Sequence, residues 1–415
     1  MKRLGALALA LLPLFASCSG DSGSYYDLNY DDLGIALDVP KYEINDKKAL
    51  EGRFVKWHGR YFYDEGIQAT WMSFSGSGFE VSFRGTMLEA DFYSTAADQA
   101  KARPFLAVAI DGDYDPAHMR TVALTGVGSH SNVTRKEGKY FFHEHIVLAH
   151  SLADAVHTVR IYKKSECNFS RVAAKSVSTD GEILAVQSKK LDLKMEVYGD
   201  SVTCGYAVES KDFYENFTTA TENACKSFAN VAANKLSGDV SLISMGGYPM
   251  YKSKHSQGCK PDSIPGMFSL AETEWSTSFD HPWDNQTYVP DVTVIALGAN
   301  DGSILDGLAK GSREYFDFLE KFKETYISFI DLIRSTYPNT LIVISDEIVP
   351  FNQNVFAKVD EVYETRKGDK VIRAKYAAYE KAKDKTLPGQ GHPNEEMQRL
   401  AGEELAALIK DNLAR

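Results

Sequence analysis

The sequence has few cysteines and no excess of positive charge. Its 415 residues include five cysteines, and none of these forms the closely spaced C-x-x-C pair that many structural zinc sites use. The 46 lysines and arginines are outnumbered by 57 aspartates and glutamates, which gives a formal net charge of −11 at pH 7. Because an acidic surface repels phosphate groups, nucleic acid is not expected as a partner, whereas neutral sugars and small esters are compatible.

Long apolar runs are also scarce, and the one that stands out lies at the N-terminus. Lys2 and Arg3 precede the run "LGALALALLPLFAS", which is too short to span a membrane, and Cys18 follows it. This pattern is typical of a secretory signal over residues 1–18. The cysteine predicts lipid attachment in an exported bacterial lipoprotein, periplasmic or on the outer-membrane or cell surface. An ordinary signal with an incidental Cys18 is the alternative, and residues 19–45 fit a polar tether.

The rest of the chain divides into two regions with different patterns of apolar residues. Residues 46–180 alternate polar and apolar side chains in short aromatic-rich runs such as "ATWMSFSGSGFEVSFRG", which predicts an all-β sandwich of the jelly-roll type. Residues 186–415 alternate apolar strands with amphipathic helices, which predicts an α/β domain whose parallel sheet is covered on both faces. Export permits disulfides among the other four cysteines, but the sequence cannot choose their pairing.

Two segments of the second region carry more specific expectations. A helix is predicted over 221–237, with Thr219 and Glu222 as a capping box and Gly238 as its stop. The segment "DKVIRAKYAAYEKA" fits either a fifth strand or a helix.

The stretch "VYGDS" places Ser201 just beyond the C-terminal end of the first strand of the α/β region. Ligands bind at that edge of a parallel sheet, and Gly199 allows the backbone to approach closely. The Ser201 N–H could donate to a substrate oxygen, as acyl transfer requires. Taken alone, the serine of a Gly-Asp-Ser triplet is more often a turn residue than a nucleophile.

Other strand ends supply candidate partners for Ser201. In "VIALGAND" the amide of Asn300 can donate to an oxyanion, with helix capping as the alternative, and "SMGGY" offers a glycine N–H. Only three of the ten histidines fall in this half of the chain. Of these, His392 precedes the last helix and can serve as general base, with His281 as its rival. The His143 and His145 pair lacks a nearby third ligand, so no metal is expected.

Together these residues match the pattern of a known family. Gly199-Asp200-Ser201, a strand-end glycine, Gly298-Ala299-Asn300-Asp301 and His392-Pro393 resemble the SGNH/GDSL hydrolases. The chain is more narrowly similar to carbohydrate esterase family 2 through "HTVRIYKKSE", "GDSVTCGY", "TENACKSFANVAA" and "PDVTVIALGAND", in that order along the chain. The resemblance implies an N-terminal jelly roll joined to a flavodoxin-like three-layer α/β/α domain.

The resemblance also implies roles for individual residues. Ser201 would be the nucleophile and His392 the base, with oxyanion donors from the Ser201 N–H, a strand-end glycine and Asn300. Gly246 is chosen over Gly247 for that glycine. The family's usual Ser-Gly-x-Gly is not present here.

The expected acid before the histidine is missing as well. Many SGNH enzymes place an aspartate two or three residues before the histidine, where this chain has Gln390 and Gly389. We therefore expect a backbone carbonyl to orient His392 in a Ser–His dyad, unless Asp384 or a distant carboxylate substitutes.

The leading hypothesis is an O-acetyl esterase that needs no cofactor and acts, as a monomer, on plant-type polysaccharides such as acetylated xylan or mannan. Trp275 and Trp283 are predicted to contact the sugar, whereas core packing is the expected role of Trp57 and Trp71. The alternatives are a lipase or lysophospholipase with the same Ser–His chemistry, and a non-catalytic carbohydrate-binding lipoprotein.

Overall fold

The computed structural model describes residues 41–44, 52–96, 101–124, 133–136, 139–188, 190–273, 281–368, 370–382 and 386–413. Three predicted features lie outside these residues: the signal with Cys18, Trp275 and Asp384. Within the described ranges, no helix is long and apolar enough to cross a membrane.

The first half of the described chain forms two antiparallel sheets. One sheet has seven strands in the order β3-β4-β12-β6-β10-β9, with β1 paired to β12, and the other has six in the order β13-β5-β11-β7-β8, with β2 paired to β5. The strands are β1 Lys41–Glu43, β2 Lys56–His58, β3 Phe62–Asp64, β4 Ala69–Trp71, β5 Gly78–Gly85, β6 Leu88–Ala96, β7 Phe105–Ile110, β8 Arg120–Ala123, β9 Val133–Lys136, β10 Lys139–Ala149, β11 Ala155–Lys163, β12 Ser170–Thr179 and β13 Glu182–Leu184.

The two sheets share one apolar core. Alternate residues of β5 and of β6 point into it, among them Phe79 and Val81 from one sheet and Ala90 and Phe92 from the other. This is the consequence of the period-two pattern, because successive side chains of a strand face opposite sides.

The second half contains the predicted parallel sheet, with strand order β15-β14-β16-β17-β18. Its strands are apolar because helices cover both faces: Val197 and Val294 belong to the core on one face, and Tyr198 and Ile295 to the core on the other. The strands are β14 Leu193–Gly199, β15 Gly238–Ser244, β16 Val292–Ala296, β17 Leu341–Ser345 and β18 Val371–Ala374. The helices are α1 Ser201–Cys204, α2 Phe228–Lys235, α3 Ala299–Leu305, α4 Arg313–Thr336, α5 Gln353–Arg366, α6 Ala378–Lys381, α7 Pro388–Gly391 and α8 Glu395–Leu413.

The helix predicted over 221–237 is shorter in the structure. Helix α2 begins at Phe228, because the Ser227 side chain accepts the N–H of Asn230 and caps it there. The preceding residues form two short 3₁₀ turns, and Glu222, predicted as part of a capping box, is buried instead. The ambiguous segment "DKVIRAKYAAYEKA" contains both a strand, β18, and a short helix, α6.

Buried charged side chains join the two halves. Arg60 is fully buried and donates to Glu196 on β14 over 3.1 Å, and Arg171 of β12 donates to the buried Glu272 over 2.7 Å. Because an unpaired buried charge is costly, each such pair requires both halves to be in place. The four cysteines other than Cys18 are buried free thiols.

Candidate active site

Ser201 lies at the C-terminal edge of the parallel sheet, where β14 gives way to the short helix α1. Asp200 caps that helix, because its carboxylate accepts the N–H of Val202 over 3.0 Å. A side chain at Gly199 would approach within 1.9 Å of Thr203 Oγ1, so the tight turn requires glycine there. The turn therefore holds the Ser201 hydroxyl at the sheet edge.

The structure brings His392 against Ser201, although 191 residues separate them. His392 Nε2 lies 2.9 Å from Ser201 Oγ, and His392 Nδ1 lies 2.8 Å from the carbonyl oxygen of Gly389. A carbonyl only accepts, so Nδ1 carries the proton and Nε2 can accept the proton of the serine hydroxyl. Burial lowers the pKa of His392, which keeps the imidazole neutral and ready to act as a base.

Among the described residues, no carboxylate contacts the His392 ring, and the Gly389 carbonyl takes the place of the missing acid. That carbonyl is itself fixed. The N–H groups of Gly389 and Gln390 donate to the carbonyls of Asp212 and Phe213 over 3.1 and 3.0 Å. Gly389 has a φ of +50°, and a Cβ atom on it would lie 2.0 Å from that of Ala207. The loop therefore holds His392 through tight backbone packing.

Asn300 also lies beside the nucleophile turn. Its Nδ2 donates to Asp200 Oδ2 over 2.9 Å and to the carbonyl oxygen of Tyr248 over 3.1 Å. Both of its N–H groups are therefore engaged. An oxyanion would receive a hydrogen bond from Asn300 only by replacing one of these contacts, and the longer one, to Tyr248, is the weaker.

The strand-end glycine chosen from the sequence needs correction. The Gly246 N–H donates to Glu166 Oε2 over 2.6 Å, so it is already committed to a carboxylate. Gly247 follows with a φ of +81°, and its N–H has no acceptor among the residues that the structure describes. Of the two glycines, Gly247 is the one whose N–H remains available.

The predicted sugar platform at Trp283 is also corrected. Trp283 is only 7% exposed and packs with Ala271 and Tyr288 in a small core cluster. Its ring therefore has little surface to offer a ligand. Trp71 is buried in the core, as expected for it, and Trp57 is partly buried against Tyr61.

The rival base, His281, lies away from the nucleophile. Its ring stacks on that of Phe62 at 3.9 Å, and one of its nitrogens is 3.6 Å from Glu272. These contacts place His281 at the boundary with the β half, and His392 is the histidine that meets Ser201.

Aromatic residues beside His392 were missed by the sequence reasoning. The ring of Tyr206 lies 4.3 Å from the His392 ring and stacks on Phe217 at 3.9 Å. Next to them Phe213 and Tyr214 are 46% and 86% exposed. The signal was the run "KDFYENF", which places three aromatics in a short polar segment soon after the Ser201 turn. Exposed aromatics on a loop are a feature of binding surfaces.

The turn, the Ser–His contact and the parallel sheet agree with the resemblance to the SGNH/GDSL hydrolases drawn from the sequence. No protein-family model matches the chain. Two characterised relatives are similar in sequence. One is the "Cellulase/esterase CelE" of Acetivibrio thermocellus, 25% identical over 252 residues, which are 60% of this chain and 27% of the relative. The other is the "Acetylxylan esterase / glucomannan deacetylase" of Cellvibrio japonicus, 30% identical over 161 residues, 38% of this chain and 43% of the relative. The chain thus spans less than half of either relative.

A solved structure extends the likeness to most of the fold. A family two carbohydrate esterase from Clostridium thermocellum, in complex with cellohexaose, superposes with a TM-score of 0.70 and 23% identity. The match covers 87% of this chain and 99% of the other. Solved structures similar to this chain include family two carbohydrate esterases, and both sequence relatives are named as esterases, which confirms the resemblance drawn from the sequence.

Proposed function

We propose that this chain is a carbohydrate O-acetyl esterase that removes acetyl groups from plant-type polysaccharides or oligosaccharides, such as acetylated xylan or mannan. The observation that carries the proposal is the 2.9 Å contact of Ser201 Oγ with His392 Nε2, with the other ring nitrogen held by Gly389. The relatives named as an esterase and as an acetylxylan esterase or glucomannan deacetylase support the choice of reaction and substrate.

The geometry supports a two-step acyl transfer. Ser201 Oγ attacks the acetyl carbonyl carbon while His392 Nε2 takes the hydroxyl proton. The negative charge that develops on the carbonyl oxygen is received by the N–H groups of Ser201 and Gly247, and by Asn300 where it exchanges its contact with Tyr248. His392 then protonates the departing sugar hydroxyl, and the Ser201 ester remains. A water activated by His392 hydrolyses this acetyl-enzyme and releases acetate.

Hydrolysis of 4-nitrophenyl acetate tests the reaction. The wild-type protein should release 4-nitrophenol, and Ser201→Ala should lower kcat by about 10³-fold or more, because the nucleophile is gone. His281→Ala is the matched histidine control and should retain the wild-type rate. If the wild-type protein is inactive but still binds acetylated oligosaccharide, the proposal is wrong and the chain is a non-catalytic carbohydrate-binding protein. A preference for long acyl chains over acetyl would replace it with a lipase-type esterase.

The aromatic surface beside His392 is proposed to contact the sugar chain. It consists of Tyr206, Phe213, Tyr214 and Phe217. Phe213 lies directly against the histidine loop, since its carbonyl accepts the Gln390 N–H. Pyranose rings have apolar faces that stack on aromatic side chains. The four aromatic side chains provide such a surface beside His392, where the sugar that carries the acetyl group would lie.

A comparison of substrates tests this surface. Tyr214→Ala should raise KM for an acetylated oligosaccharide and leave KM for 4-nitrophenyl acetate unchanged, because only the larger substrate reaches the exposed ring. Phe316→Ala on α4 removes another exposed aromatic, 56% accessible, and serves as the control. Equal effects of Tyr214→Ala on both substrates would contradict a role in sugar binding.

The proposal includes a lipid anchor at Cys18 and a jelly-roll topology for the β half. The basic head, apolar run and following cysteine support the anchor, and the two antiparallel sheets support the topology. Expression of the full chain in bacteria with labelled palmitate tests the anchor: the label should enter the wild-type protein and be absent from Cys18→Ser. Label in both proteins would refute Cys18 as the lipidation position.

A further inference from the structure

Glu166 belongs to the β half but contacts the candidate active site. It lies in the segment between β11 and β12 and is fully buried. Its Oε2 accepts the N–H of Gly246 over 2.6 Å. So short a distance is typical of a hydrogen bond with an ionised acceptor.

A second fully buried carboxyl group, that of Glu222, lies against Glu166. Glu222 Oε2 accepts the backbone N–H of Glu166 over 3.1 Å, and carboxyl oxygens of the two side chains lie within 4.8 Å of each other. The remaining oxygen of each carboxyl group is buried without an ordinary donor. Two buried carboxyl groups this close repel each other when both are ionised, so the pair holds one proton.

The charges around the pair agree with this protonation. Burial raises the pKa of Glu166 to about 7 and that of Glu222 well above its usual range. Glu166 makes the short contact with Gly246, so it is the ionised member, and Glu222 carries the proton. Lys163 is also fully buried and provides a positive charge that attracts both groups. The positive charge of the Lys163 ammonium offsets the negative charge of the single carboxylate.

Gly246 belongs to a turn that borders the strand end preceding Ser201. The Met245 N–H lies 3.4 Å from the carbonyl oxygen of Gly199, and the Tyr248 N–H donates to Met245 over 3.2 Å. The Tyr248 carbonyl in turn accepts from Asn300. The turn Met245–Tyr248 thus spans from the Ser201 turn to Asn300, with the free N–H of Gly247 inside it. Glu166 is the contact that fixes this turn from the β half.

We propose that Glu166 is a positioning residue for ester hydrolysis: through Gly246 it holds the Met245–Tyr248 turn so that the Gly247 N–H meets the oxygen of the reacting carbonyl. Glu222 accepts the backbone N–H of Glu166 and thereby keeps that residue, and its carboxylate, in place. The inference rests on the proposed esterase activity. It makes the β half a part of the catalytic device, because Glu166 comes from that half.

Kinetics of the Glu166 variants on 4-nitrophenyl acetate test the inference. Glu166→Ala should lower kcat by about 10- to 100-fold with little change in KM, since a displaced N–H weakens binding of the transition state more than of the substrate. Glu166→Gln should recover most of this loss, because its amide oxygen can still accept the N–H of Gly246. Unchanged kcat in Glu166→Ala, with an active wild-type protein, would overturn the inference alone. An inactive wild-type protein would overturn the proposed function.

Glu272→Ala is the matched control. Glu272 is also a fully buried glutamate that links the halves, through Arg171. Both alanine variants should lower the melting temperature, but only Glu166→Ala should lower kcat. If Glu166→Ala does not fold, Glu166→Asp serves in its place: it keeps the charge but is one methylene too short to reach Gly246, so the same fall in kcat is expected. A fall in kcat of the same size in Glu272→Ala would show a general structural effect and contradict the inference.

A metal ion is the competing explanation for this cluster. Donor atoms of Glu166, Cys204 and Glu222 lie within 4.8 Å of one another. Lys163 already supplies a positive charge there, and one proton held by the pair removes the repulsion between the two carboxyl groups. Activity should therefore survive prolonged chelation followed by gel filtration. Loss of activity that zinc restores would replace this proton with a metal.

Discussion

The two halves of the molecule contribute to the candidate site in different ways. The α/β half supplies the candidate catalytic groups from the ends of its strands and from one loop: Ser201, Asn300 and His392. The β half supplies buried charged side chains that cross the boundary, such as Glu166 and Arg60. The first set lies in short motifs that define its local geometry. The second set has a function only where the two halves meet, and its partners are distant in sequence.

The residues proposed to react are held by local contacts, whereas the residues that position them are held by contacts between the two halves. The serine turn is built by neighbours within three residues, namely Gly199, Asp200 and Thr203. The boundary contacts join residues more than 50 positions apart, as in Arg60 with Glu196 and Glu166 with Gly246. We therefore expect substitutions at the boundary to affect stability and rate without altering the chemical mechanism.

The largest effect on stability is expected from Arg60→Ala. Arg60 is fully buried and also donates to the carbonyls of Met267 and Leu270 over 3.0 and 2.8 Å. Its removal leaves the carboxylate of Glu196 buried without a countercharge and with only the Tyr198 hydroxyl as a side-chain donor, so the free energy of unfolding should fall by about 3–5 kcal/mol. Chemical denaturation of the full chain, followed by circular dichroism, measures this change.

An exposed ion pair provides the control. Arg366 donates to both oxygens of Asp331 over 2.9 and 2.7 Å, but on the helix surface. Arg366→Ala should cost less than about 1 kcal/mol because water replaces the lost partner. The double variant Arg60→Met with Glu196→Leu should recover much of the lost stability, since no charge is left unpaired. Equal costs for Arg60→Ala and Arg366→Ala would refute the special role of the boundary.

The same contrast explains what the sequence could predict. Strand-end motifs indicated Ser201, Asn300 and His392 as candidates, because the carboxyl ends of parallel strands meet at one edge. The parallel sheet was predicted from apolar strands alternating with helices. By contrast, Glu222 was assigned to a helix cap, and Trp283 to a sugar platform. Each of them also contacts the other half of the chain, Glu222 at Glu166 and Trp283 at Tyr61, and no local pattern encodes such contacts. The choice of Gly246 failed for the same reason, since Glu166 occupies its N–H.

A smaller effect, on rate rather than stability, is expected from Gly389→Ala. Gly389 has a left-handed φ, and a Cβ atom there would collide with Ala207. The loop must shift, and the carbonyl that orients His392 moves with it. Because misplacement of a catalytic group by about 1 Å can cost about 100-fold, kcat for 4-nitrophenyl acetate should fall by up to that factor.

Gly112→Ala is the matched control for this backbone change. Gly112 also has a positive φ, of +79°, but no atom lies within 4 Å of a Cβ built on it. It should lose some stability and keep its kcat. If Gly389→Ala kept a wild-type kcat while the protein remained folded, the Gly389 carbonyl would not be what orients His392.

The smallest expected effect is a shift in the pH profile. Burial destabilises the imidazolium, so the pKa of His392 is lowered from its usual value of 6.5. The base is active when neutral, hence kcat/KM should fall with decreasing pH through a midpoint below 6.5.

Tyr206→Ala removes a ring that covers His392 at 4.3 Å, and should move the midpoint upward because water then reaches the imidazolium. Burial also raises the pKa of the nearby Asp200 to about 7, so an NMR titration of the His392 imidazole must accompany the kinetics. If the midpoint of kcat/KM follows the imidazole signal in both proteins, the acidic side of the pH profile reports His392. If Tyr206→Ala leaves the midpoint unchanged, the neighbouring ring does not set the pKa of the base.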